Sequence, residues 1–219
     1  MPRSRKSPTC LRNNVVRVLL VGFGPFPGAP VNPSAALVKA LARRRRPALA
    51  LTQCAIHILA TSYAAVDRDL PGLLRQNPDV VLMFGLAGRR RHLCIETRAR
   101  NAQSVLFPDI GGYRPQRNVI SRGGPAAVRG NAPVADLLGA LRGHCFPARL
   151  SRDAGRYLCN YVYWRCLRHV TGRRPLVQFV HIPPVKIGSQ RKPRRGLSFQ
   201  SLLAASEALL IAMIAASRR

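Results

Sequence analysis

Three short, strongly apolar runs, Val15–Gly22, Val80–Phe84 and Leu176–Ile182, set the tightest limit on what this chain can fold into. Each is too short for an ordinary helix, is rich in Val, Leu or Ile, and is closed by glycine or by Pro183-Pro184. Runs that are apolar at nearly every position, not at alternate ones, predict strands buried on both faces. Further strands are expected at Leu49–Leu59, Leu93–Arg100 and Ala148–Ser151.

Helix signals fall between these runs. Asn32-Pro33-Ser34 reads as a start, with Asn32 as cap and Pro33 in the first turn, where no N–H is needed. Leu37, Val38 and Leu41 form an apolar stripe, and Arg43–Arg46 suits the negative end of the helix before Pro47 stops it. Helices are also expected at Ser62–Gln76 (bent or broken at Pro71), Pro133–Arg142, Ala154–Val170 and Ser198–Ala216. Asn101–Asn131 reads as loop, and residues 185–196 as a basic loop. Strands alternating with helices imply an α/β sheet covered on both faces, with its site at strand ends and in the loops after them. The loops after Gly22, Gly85 and His181 fit that rule.

Size and composition narrow the class. With 219 residues, 47% hydrophobic, the chain suffices for one domain over residues 14–219 behind a disordered basic tail, residues 1–13. The most apolar stretch, Leu202–Ala216, carries Ser206 and Glu207, so no membrane association is expected. The net charge of +28 comes from 36 basic residues, all but four of them arginine. Such an excess attracts nucleic acid by non-specific electrostatics. The arginines are spread along the chain rather than gathered in one arm or motif, so a coding bias towards arginine is the favoured reading of the same fact. Six cysteines form no CxxC pair, which argues against a zinc site or a disulfide framework. With no export signal read at the start, the expected compartment is the cytoplasm.

Four features carry chemistry, each with a bland alternative. The Gly22–Gly28 loop has the wrong spacing for a dinucleotide fingerprint, and Pro25 and Pro27 remove backbone donors. Phe23 and Phe26 suit it to gripping something flat and apolar, or they simply belong to the core. Cys159 lies near a helix start, where Ser151 or Asp153 would cap and the helix dipole favours a thiolate; the alternative is an inert buried thiol. His181 ends a strand on the side where sites gather, or is a satisfied core histidine. Glu96, one of only eight acids, would orient an imidazole or pair with Arg98 or Arg100.

Together these features resemble the pyroglutamyl peptidase I family, also called pyrrolidone-carboxylate peptidases. Four blocks carry the likeness: Val21–Gly28 with Pro30–Ser34; Gly85–Gly88 with Glu96, Ala99 and Asn101; Ser151–Asn160; and Phe179–Pro183. The resemblance covers residues 16–217. It implies a single three-layer α/β/α sandwich with a mostly parallel or mixed sheet, a catalytic set of Glu96, Cys159 and His181, and no cofactor or metal. It further implies pyroglutamyl peptides as substrates and a possible homotetramer. The substrate side would involve Phe23, Phe26 and Asn32, together with Leu86, Tyr157 and Leu158. The chain departs from the family pattern at Leu86 (usually Gln), Arg89 (usually Gly), Thr97 (usually Arg or Lys) and over Ala102–Arg117.

Overall fold

The computed structural model describes residues 15–26, 28–170, 172, 174–188 and 197–219. The expected tail at 1–13 and most of the basic loop at 185–196 lie outside them. Six strands form one sheet in the order β2-β1-β3-β8-β4-β7. They are β1 (Val16–Phe23), β2 (Thr52–Leu59), β3 (Val80–Leu86), β4 (Leu93–Glu96), β7 (Ala148–Ser151) and β8 (Leu176–Ile182). A separate two-stranded ribbon pairs β5 (Arg98–Arg100) with β6 (Ala127–Arg129). β2, β1, β3 and β8 run parallel, β4 is antiparallel to β8, and β7 is parallel to β4. The sheet is therefore mixed.

Helices cover both faces. One layer holds α1 (Pro33–Ala42), α3 (Val134–Gly143) and α5 (Phe199–Ser217), whose Leu37, Leu137 and Leu209 meet Leu20, Leu82 and Val180 of the sheet. The other holds α2 (Tyr63–Arg75) and α4 (Leu158–His169), whose Val66, Leu70, Val162 and Trp164 meet Val21, Met83 and Phe179. This is the α/β/α sandwich that the resemblance implied, with the sheet supplying apolar side chains to two cores.

Several local expectations need correction. Pro71 neither breaks α2 nor ends it. The stripe Tyr63, Val66, Leu70 and Leu74 is buried along its whole length, and that packing outweighs the roughly 3 kcal/mol a helix-interior proline costs. Gly85 does not end β3, which continues to Leu86 in register with Ile182. Leu93–Arg100 is two strands in two sheets, parted at Thr97, whose N–H and Oγ1 both donate to Ser151 O (2.7 and 2.9 Å). α4 starts at Leu158 and not at Ala154. Its cap position is Tyr157, without a side-chain cap bond, because Ser151 and Asp153 turn inward on the preceding loop: Ser151 Oγ accepts from Asp153 N and Asp153 Oδ1 from Gly155 N. α5, at 19 residues and a mean hydropathy of 1.7, is long and apolar enough to cross a membrane. Here it is a core helix, and its buried Glu207 is gripped by Arg44 and Arg46 at 3.0 and 2.7 Å.

Candidate active site

The register of three strands assembles the candidate residues. β8 lies parallel to β3 with Gly85 abreast of His181. On its other side β4 runs antiparallel, Cys94 abreast of His181, which brings Glu96, the last residue of β4, under the histidine ring. Cys159 is the second residue of α4, closer to the helix N-terminus than the sequence suggested. Its sulfur reaches the sheet exactly where a side chain is missing: a Cβ on Gly85 would stand 2.9 Å from Cys159 Sγ and 2.7 Å from Phe179 Cζ.

Glu96 is fully buried, and its Oε1 lies 2.8 Å from His181 Nδ1. That leaves Nε2 as the ring nitrogen free to serve Cys159, which lines the same cavity as His181. Burial alone pulls the imidazole pKa down, but the hydrogen bonds and charges of Cys159 and Glu96 outweigh it and raise it to about 9. Tyr163 Oη and Gln178 Nε2 donate to Glu96 O at 3.1 and 3.0 Å and fix the backbone beneath the acid. Glu96 does not pair with Arg98 or Arg100: Arg98 turns to Arg152 O and Arg100 to Asp153. Its arginine partner is Arg90, at 3.2 Å.

The thiol opens on a cavity of about 190 Å³. Its wall holds Phe23, Phe26, Asn32, Leu86, Tyr157 and Leu158, together with Cys159 and His181. Thr61 and Ala154 complete it, and sequence reasoning had missed both. Thr61 follows β2 in a stretch with no motif to announce it; Ala154 was legible inside the Ser151–Asn160 block. Phe23 is buried with its ring 6.2 Å from that of Phe179, which in turn lies 5.0 Å from the His181 ring. Asn32 caps α1 and lines the cavity at once: Oδ1 accepts from Ser34 N (3.1 Å) while Nδ2 donates to Gly24 O (3.1 Å). Its amide therefore braces the Phe23–Phe26 loop. Gly22 lets this happen, since a Cβ there would meet Ser34 O at 2.8 Å.

The comparisons with known proteins decide the family. The sequence model of pyroglutamyl peptidases matches residues 16–219. The chain belongs to the pyroglutamyl peptidase family. It is 31% identical over 195 residues to a pyrrolidone-carboxylate peptidase of Vibrio vulnificus, covering 89% of this chain and 91% of that one. A Bacillus subtilis pyrrolidone-carboxylate peptidase is 30% identical over 204 residues, with 92% of this chain and 93% of that one covered. The crystal structure of pyrrolidone carboxyl peptidase from Thermus thermophilus superimposes with a TM-score of 0.79 at 30% identity, covering 89% of this chain and 99% of that chain. Pyroglutamyl peptidase I from Bacillus amyloliquefaciens gives 0.77 at 27%, with 91% and 97% covered.

Proposed function

We propose that this member of the family is a cysteine peptidase that removes N-terminal pyroglutamyl (5-oxoproline) residues from peptides. The observation that carries the reading is the Glu96–His181 pair, at 2.8 Å, with Cys159 and His181 together on the wall of a small apolar cavity. Drug-sized pockets run to about 300–1,000 Å³. A cavity of about 190 Å³ suits one small ring instead. Among the described residues its wall carries no carboxylate to meet a terminal ammonium, which disfavours an ordinary peptide N-terminus there. A neutral lactam loses little by burial between Phe23 and Phe26 and keeps backbone groups for its amide edge.

Chemistry follows from the placement. The reacting form pairs a Cys159 thiolate with a protonated His181, and the sulfur attacks the oxoprolyl carbonyl carbon, opening its C=O to an oxyanion. The oxyanion forms beside the first turn of α4, where the N–H groups of Leu158, Cys159 and Asn160 have no acceptor four residues back within the helix. Imidazolium then protonates the departing amine, leaving a thioester. Water, deprotonated by His181, attacks that thioester, releases oxoproline and restores the thiol. Glu96 holds the ring with Nδ1 protonated and stabilises the imidazolium throughout.

A fluorogenic oxoprolyl coumarylamide, with the prolyl coumarylamide as control, tests the reading. Only the first is expected to be cleaved, and Cys159→Ala to abolish the cleavage while the fold persists. Wild-type-like turnover by Cys159→Ala would end the proposal. The same reading takes the cytoplasm as the compartment, as the free cysteines suggest, and a homotetramer as the assembly, as the resemblance implies, the second checked by light scattering. Nucleic acid then binds only through the net charge, with a steep loss on adding salt.

A further inference from the structure

Glu96 has one oxygen with two partners and one with none. Oε1 accepts from His181 Nδ1 at 2.8 Å and from Arg90 Nη1 at 3.2 Å, while Oε2 is buried and has no hydrogen-bond partner among the described residues. Arg90 stands in the turn between β3 and β4, where its own N–H donates to Ala87 O at 3.0 Å. Its other terminal nitrogen, Nη2, donates to Asp153 O at 3.3 Å, in the segment that leads into Cys159. One guanidinium thus joins the acid of the site to the loop before the nucleophile.

We propose that Arg90 is a positioning residue for the peptidase reaction: its charge balances Glu96, so that the thiolate of Cys159 and the imidazolium of His181 form inside a site of zero net charge. The proposal rests on the cysteine-peptidase reading above. With Arg90 present, guanidinium and imidazolium match carboxylate and thiolate, two charges of each sign. Without it the buried set carries one surplus negative charge. That surplus opposes ionisation of the thiol and deepens the cost of keeping Glu96 out of water. Oε2, buried and without a hydrogen-bond partner among the described residues, offers no further compensation.

The remaining groups around the acid do not replace Arg90. Cys94, on β4, is buried, and that burial pushes its thiol pKa up. From α4, Tyr163 donates to the backbone of Glu96, and both it and Cys166 are held protonated by burial. From β7, Arg149 acts on Cys94 and on His92, whose pKa burial lowers. The Asp153 carboxylate takes Gly155 N and Arg100. Among the described residues, Arg90 and His181 are the cations within ion-pair distance of Glu96.

The test compares Arg90→Met and Arg90→Lys with the wild-type full chain through two pH profiles. One is kcat/KM for the oxoprolyl coumarylamide. The other is the rate of Cys159 alkylation by iodoacetamide, located by peptide mass mapping. Loss of the charge is expected to move the acid limb of both profiles up by about one pH unit, with kcat at pH 7 falling about tenfold and KM changing less. Arg90→Lys is expected to bring both limbs back towards wild type. An alkylation profile in folded Arg90→Met that overlies the wild type overturns the proposal, as does an Arg90→Lys profile that stays with the methionine variant. Should the methionine variant fail to fold, Arg90→Gln, uncharged but able to donate, makes the same comparison. A wild-type chain inert towards the oxoprolyl amide sinks the peptidase reading, and the alkylation profiles still judge Arg90 separately.

Discussion

Replacing Gly85 with alanine is the smallest change that reaches the reacting atoms from the sheet side. The new Cβ would lie 2.9 Å from Cys159 Sγ, where ordinary contact begins at 3.4 Å, so the sulfur must retreat by about 0.5 Å (3.4 − 2.9) or β3 must bend. Phe179 Cζ, at 2.7 Å, needs about 0.7 Å (3.4 − 2.7) and is itself fully buried between neighbours. Overpacking of this kind costs about 1–3 kcal/mol of stability. Since a 1 Å misplacement costs about a hundredfold in rate, half that distance predicts a loss of about tenfold or more in kcat. The control is Gly88→Ala, in the loop after β3, where an added Cβ meets nothing within 4 Å. Steady-state hydrolysis of the oxoprolyl coumarylamide, with urea unfolding alongside, reads both effects. Equal kcat in wild type, Gly85→Ala and Gly88→Ala would refute the claim that Gly85 makes room for the nucleophile.

Glu96→Gln should lower kcat at least a hundredfold with little change in KM, because the amide cannot stabilise the imidazolium; steady-state kinetics on a folded variant check it, and an unchanged kcat removes Glu96 from the mechanism. His181 binds its proton more tightly when folded, with a pKa of about 9 against 6.5 for the free side chain. Its contribution to stability is therefore complete below pH 6.5 and is lost as pH rises towards 9. Urea midpoints should fall across that window in wild type and fall less in His181→Gln. Gly130→Ala would drive a methyl group into Tyr163 Oη and break its bond to Glu96 O. The expected cost is about 1–3 kcal/mol in urea unfolding, with kcat reduced; wild-type stability and rate would show the bond to be dispensable.

Much of this arrangement was legible in the chain itself. The apolar runs announced β1, β3 and β8, because a strand covered on both faces has no polar side to show. Asn32-Pro33-Ser34 announced α1 through cap chemistry that needs only neighbours in sequence. The motif blocks named residues that the fold brings around one cavity. Other features were hidden for a common reason. Pro71 inside α2 looked disruptive because propensity counts the lost hydrogen bond and not the buried stripe. The start of α4 was misplaced because Asp153 looked like a cap yet serves its own turn.

The local code, then, settled which segments extend and which coil, and put forward Cys159, His181 and Glu96 as nucleophile, base and acid. It left open whom Glu96 meets. Arg98 and Arg100 are its neighbours in sequence, whereas His181 is 85 positions away. Reversal of β4 against β8, and the depth at which α4 lies on the sheet, make that choice. The same packing selects Arg90 from a run of three arginines and gives Gly85 its purpose. Strand order and register are set by long-range pairing and shared burial, energies that belong to no single stretch of residues.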